Sequence, residues 1–164
     1  MFDLYKKRRS SRMIKGREKT EYNNLFYVCS LIEYTARKTK NYRRVIVNAI
    51  GQDGLQHLYN LADVYHSDNI DKVSDELIDK YHISAGHFDN VAQAQYNIPT
   101  HWDIGKVYQR LIIDICQHES KTPIHILTEV YNSWIADKID NYNSSMYYES
   151  PSYLYASYQK GEPL

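Results

Sequence analysis

Apolar residues recur along this chain at helical spacing and nowhere sustain the alternation of a half-buried strand. Leu25, Val28, Cys29, Ile32 and Ala36 fall three and four positions apart, which predicts one amphipathic helix over about 20–40. Val45, Ile46 and Ala49 predict a second element over 42–50, stopped by Gly51. Gln52-Asp53-Gly54 reads as a turn with Asp53 as a cap, leading into a stripe of Leu55, Leu58, Leu61, Ala62 and Tyr65. His66-Ser67-Asp68-Asn69 breaks that stripe, and Asp71 to Tyr81 forms the next helix around Val73, Leu77 and Ile78. Residues 82–97 are ambiguous, since Gly86 interrupts while Phe88, Val91 and Ala92 suit a short helix. Pro99-Thr100 starts the clearest pattern, Ile104, Val107, Leu111, Ile112 and Ile115. Thr122-Pro123 opens a last helix through Leu127, Val130, Tyr131, Trp134 and Ile135 to about 141. The expected fold is all-α: a single compact bundle of about five to six helices over 20–141.

The two ends differ from this body. Residues 142–164 contain Tyr142, Tyr147, Tyr148, Tyr153, Tyr155 and Tyr158, six of the chain's 17 tyrosines, mixed with Ser, Asn and Pro. That composition reads either as a low-complexity tail or as a set of interface anchors, because Tyr joins a large apolar face to a hydroxyl. Residues 1–44 carry 13 Lys and Arg against four acids, and the remaining residues carry seven against 16, so a net charge of zero hides a strong polarity. Lys6, Lys7, Arg8, Arg9, Arg12, Lys15, Arg17 and Lys19 form a basic N-terminal arm over 1–19, fit for nucleic-acid phosphates or another anionic partner. The alternative is an arm neutralised by its own acidic body or by a second copy. Exposed ion pairs contribute only ~0–1 kcal/mol each, so a homodimer made this way would need the tyrosines of 142–158 as well.

Chemistry-bearing motifs are missing. The six glycines form no phosphate-cradling loop, and the seven histidines make no His-x3-His or His-Glu-x-x-His pair. Cys29 and Cys116 are 87 positions apart with apolar neighbours, which reads as reduced core thiols in a cytoplasmic protein. No apolar run approaches the ~18–20 residues of a membrane span, and the opening MFDLYKKRRSSR lacks the apolar stretch of a secretory signal. No catalytic residue, metal or cofactor is expected. Asp75–Asn90 has the rhythm of a helix–turn–helix, yet its second helix would offer Asn90, Gln93 and Gln95 without a cation.

The stretch from His101 to Ile112 is the most specified. Gly105 inside a helix costs roughly 1 kcal/mol against Ala, which implies close approach of another backbone, with Trp102 capping the core near the crossing. Lys106, Gln109 and Arg110 are spaced to share a polar face. Together with Tyr147, Tyr148, Tyr153 and Tyr155 they are the candidate partner interface. Val28–Ala36, the Leu55–His66 helix and Asp75–Ile78 resemble segments of short bacterial helical domains encoded beside toxin genes. That resemblance covers about a third of the chain and implies an antitoxin-like or mobile-element accessory protein, with no catalytic residue to carry over. The leading expectation is a non-enzymatic interaction module bound to another protein or to itself. A nucleic-acid-binding regulator acting through the arm is the alternative, followed by an enzyme with an unrecognised site.

Overall fold

Helix α1 spans Phe2–Thr39, and its stretch from Leu25 to Ala36 runs through the middle of the molecule. The computed structural model describes the backbone of residues 2–164 and the side chains from Thr20 onward, so the cationic side chains Lys6 to Lys19 lie outside the described residues. The sequence pattern marks one apolar stripe on this helix, but every position from Leu25 to Ala36 except Phe26 and Tyr34 is buried. The reason is that α2 (Arg43–Asn60), α4 (Ile70–Lys80) and α6 (His101–His118) all pack against it, leaving only a narrow strip at Phe26 and Tyr34 partly open. Even Ser30, Glu33 and Thr35 are enclosed.

The other elements are α3 (Ala62–Tyr65), α5 (Asn90–Gln93), α7 (Pro123–Tyr131), α8 (Trp134–Ile139), a 3-10 turn at Met146–Tyr148, and α9 (Pro151–Lys160). Helices α7 and α9 close the far side of α6, and α2 lies against α7. The fold is all-α, with nine α-helices and no strand among the described residues. Gly51 interrupts α2 with φ +75°, the left-handed conformation that glycine adopts without a Cβ clash. The expected helix over 123–141 is two: Asn132 and Ser133 turn their side chains back onto the carbonyls of Thr128 and Val130 and end α7. No recognition helix follows α4. Residues 83–89 run extended beside the end of α1, with the Gly86 and Phe88 amides donating to the Thr39 and Lys40 carbonyls.

The tyrosine-rich segment belongs to the folded body. Ser150 caps α9 by accepting the Tyr153 amide, Pro151 occupies its first turn and Gly161 ends it at φ +85°. Tyr142, Met146 and Leu154 from this segment are buried in the core. Tyr155 stacks on His118 of α6 with ring centroids 4.6 Å apart, and the Tyr153 hydroxyl donates to the Leu164 carbonyl.

The α1–α6 crossing is as close as Gly105 implies. A Cβ built there would lie 2.1 Å from the Ser30 Oγ and 2.9 Å from the Ser30 Cα. Because one of those atoms is backbone, the helices themselves would have to separate. Gly105→Ala is therefore expected to destabilise the protein by about 1–3 kcal/mol in denaturant unfolding, although alanine is the better helix former. A neutral or stabilising G105A would show that the two helices do not meet at this residue.

Candidate functional site: a buried ion cluster between a cleft and a groove

Glu33 sits in the second half of α1, with Ile32 before it and Ala36 one turn on, and its carboxylate is enclosed in the core. A lone carboxylate there would cost several kcal/mol in lost hydration. Two guanidinium groups compensate it. Arg43, at the start of α2 and itself fully buried, donates from Nε to Oε1 at 2.8 Å and from Nη2 to Oε2 at 2.5 Å. Arg37, one turn along α1, donates from Nε to Oε2 at 2.6 Å. The Tyr142 hydroxyl donates to the same oxygen and accepts from Arg37 Nη2 at 3.0 Å. Two further N–H contacts go to backbone carbonyls: Arg37 Nη2 reaches Pro99 O at 2.8 Å, and Arg43 Nη1 reaches Asn41 O at 3.1 Å. Burial alone would raise the Glu33 pKa, but the charge and hydrogen bonds of Arg43, the charge of Arg37 and the Tyr142 hydrogen bond reverse that and bring it to about 2.

A second carboxyl lies beside this cluster. Asn90 accepts from Arg43 Nη2 at 3.1 Å and donates to the Asp140 carbonyl at 2.9 Å. The Asp140 side chain accepts the Tyr108 hydroxyl at 2.7 Å and takes no N–H from either arginine. Burial is the largest influence on it. The nearby Glu33 charge adds to that effect, Arg43 offsets part of it, and the pKa rises to about 7. The cluster opens to solvent on one side as a cleft of about 370 Å³, lined by Tyr42, Arg44, Phe88, Asp137 and Asp140 among others.

On another face lies an open groove of about 570 Å³, formed by Ile98, Pro99, Lys106, Arg110, Tyr147 and Tyr148 with Asn97, Asp103 and Val107. It adjoins the ion cluster, since Pro99 supplies the carbonyl that holds Arg37 and Tyr147 meets the Tyr142 ring edge-on at 5.8 Å. Four residues of the sequence-derived interface, Lys106, Arg110, Tyr147 and Tyr148, line this one groove although they come from segments nearly 40 positions apart. Trp102 stands next to it, tilted against Phe26, over whose ring the Lys106 ammonium lies at 5.3 Å. Gln109 does not share the polar face: it is buried and donates to the Tyr22 carbonyl at 2.9 Å, because α1 covers that side of α6. Tyr153 and Tyr155 are half-buried and do not line the groove.

Glu33, Arg37, Arg43 and Asp140 are absent from the sequence-derived candidates, and Tyr142 is read there only as one of the tyrosines of 142–164. The available signal was a glutamate flanked by apolar residues with arginine four positions on. Cys29 is a buried free thiol and Cys116 a half-buried one. Among the described residues, no three His, Cys, Asp or Glu side chains gather where a metal ion could sit.

Two expectations follow from the cluster. Glu33→Gln leaves one buried and one half-buried guanidinium group facing a neutral amide and should cost about 3–5 kcal/mol in urea unfolding at neutral pH. Wild-type loss below 1 kcal/mol would show that the pair carries no such compensation. Asp140 acts in the opposite sense. Its folded pKa lies above its unfolded one, so the folded state holds the extra proton between about pH 4 and 7, and stability falls as pH rises through that window. Asp140→Asn keeps the shape and removes the proton, so the variant should gain on wild type by up to roughly 1.4 kcal/mol per pH unit there. A pH-independent difference would contradict the assignment. No protein-family model matches the chain, and no curated protein and no solved structure matches it.

Proposed function

We propose that the protein is a non-enzymatic interaction module that docks an acidic, apolar-anchored segment of a partner protein into the groove along α6. One observation carries this reading. Lys106 and Arg110 sit one turn apart without a carboxylate partner among the described residues, beside Ile98 and Tyr148, which are 48% and 68% exposed. Most other cations of the body are already used: Lys38 bridges to Asp71 and Asp75, Arg44 to Asp137, and Lys121 to Glu119 and Glu129. Exposed Tyr and Trp beside Arg is the composition of interface hot spots. A helix backed by the buried ion cluster presents these groups on an already ordered backbone, so only their side chains must be ordered.

The apolar rim favours a protein over a nucleic acid, which needs phosphate contacts along a longer basic track. Among the described residues, no helix is long and apolar enough to cross a membrane. The resemblance to domains encoded beside toxin genes makes an antitoxin- or immunity-like role the first form to test. Full-length protein should form a complex with the product of the adjoining gene, measured by calorimetry. Lys106→Glu with Arg110→Glu should weaken it roughly tenfold or more while leaving the unfolding midpoint in place. An unchanged affinity in that double variant, or binding to nucleic acid through the same groove, would refute the reading.

A further inference from the structure

The groove along α6 is one part of a longer face. The Lys106 ammonium lies over the ring of Phe26, 5.3 Å from its centre, and that ring is 5.7 Å from Trp102. Phe26 also lines a separate hollow of about 320 Å³, walled by Ala62 and Asp63 of α3 and by His66. Phe26 and Trp102 therefore stand between a basic end and an acidic end. Among the described residues no ion pair engages Lys106 or Arg110 at the first, nor Asp63 or Asp68 at the second. Burial and then the Arg110 charge push the Lys106 ammonium below its usual range, as expected of a cation without a counter-charge. At the other end, burial and then the Asp68 charge raise the Tyr27 hydroxyl to about 12.

The acidic end has the chemistry that the groove is proposed to accept. Val64, next to Asp63, is 63% exposed, and Leu61 is exposed three positions before it. One face thus displays both an acidic segment with apolar anchors and the receptor for such a segment, and within one molecule the two do not meet. A patch of this kind is self-complementary, because a twofold rotation about its centre lays the basic end of one copy on the acidic end of the other. We propose that the protein forms a symmetric dimer through this face, with Asp63 and Val64 of each copy seated at Lys106 and Arg110 of the other and with Phe26 and Trp102 at the axis. The dimer rests on the reading of the groove given above and names a second copy as its occupant. Exposed ion pairs alone contribute little, so the apolar side chains supply the affinity and the charges fix the register. A net charge of zero leaves no long-range repulsion between copies.

Sedimentation velocity on the full-length protein over about 10–200 µM tests this, and a reversible monomer–dimer equilibrium that stops at the dimer is expected. Asp63→Lys alone, and Lys106→Glu with Arg110→Glu in one chain, should each weaken the dimer roughly tenfold or more, because like charges then face each other at both junctions. Mixing the two variants should restore it, since both junctions of the mixed pair bring opposite charges together. Unfolding midpoints equal to wild type show that the variants fold. Asp63 is not a groove residue, so partner binding by Asp63→Lys reports on the groove separately from the dimer. A full-length protein that stays monomeric, association that continues past the dimer, a dimer indifferent to both sets of substitutions, or mixed variants that remain monomeric would overturn the proposal.

Discussion

A carboxylate in the middle of a helical core is the constraint around which this molecule is arranged. Glu33 cannot be buried alone, and the groups that compensate it come from distant parts of the chain: Arg37 from its own helix, Arg43 from α2, and Tyr142 from beyond α8. Asn90 and the Pro99 carbonyl extend the same network into α5 and the approach to α6. Each contact adds a directional requirement to the packing, because an unpaired buried guanidinium costs several kcal/mol however well the apolar side chains around it fit. The segment after Asp140 has few large aliphatic residues, and the Tyr142 hydroxyl bond to Glu33 gives it a fixed point of attachment.

The two surface features hang on that cluster. The cleft is where the network reaches solvent through Asp140, and the groove is where it is capped by Pro99 and Tyr147. Their chemistry is opposite. The groove offers cations without a carboxylate partner beside exposed aromatic and aliphatic side chains, whereas the cleft holds the Asp140 carboxyl behind a rim where Arg44 already meets Asp137. A binding event at either place meets a scaffold with little freedom to yield, since α1 and α6 cross at backbone distance over Gly105.

Much of the fold was legible in the sequence because helix spacing is a strong local signal. The starts of α6 and α7 at Thr100 and Pro123, the break at Gly51 and the close crossing at Gly105 all follow from single residues with one clear physical role. Helix α9 was equally marked, by Ser150-Pro151 before it and Gly161 after it, but tyrosine-rich composition obscured those punctuating residues. The burial of α1 on all sides depends on how many helices surround it, which no local pattern records. Gln109 was misplaced for the same reason, since spacing gives the face of a helix but not which neighbour covers it. Lys106 and Arg110 were visible from their spacing, whereas their meeting with Tyr147 and Tyr148 is a property of the tertiary fold. The ion cluster was hidden because its members are scattered from position 33 to position 142, and charges counted along a sequence look like surface.

The central claim is that Glu33 stays ionised in the core while Asp140 beside it holds its proton to neutrality. Side-chain carboxyl carbon NMR on the full-length protein measures both groups directly. The Glu33 carbon should keep the shift of an ionised carboxylate from pH 8 down to about 3, and the Asp140 carbon should titrate near 7. A Glu33 resonance that titrates near 4.5, or an Asp140 resonance that titrates near 3.8, as free side chains do, would contradict the account.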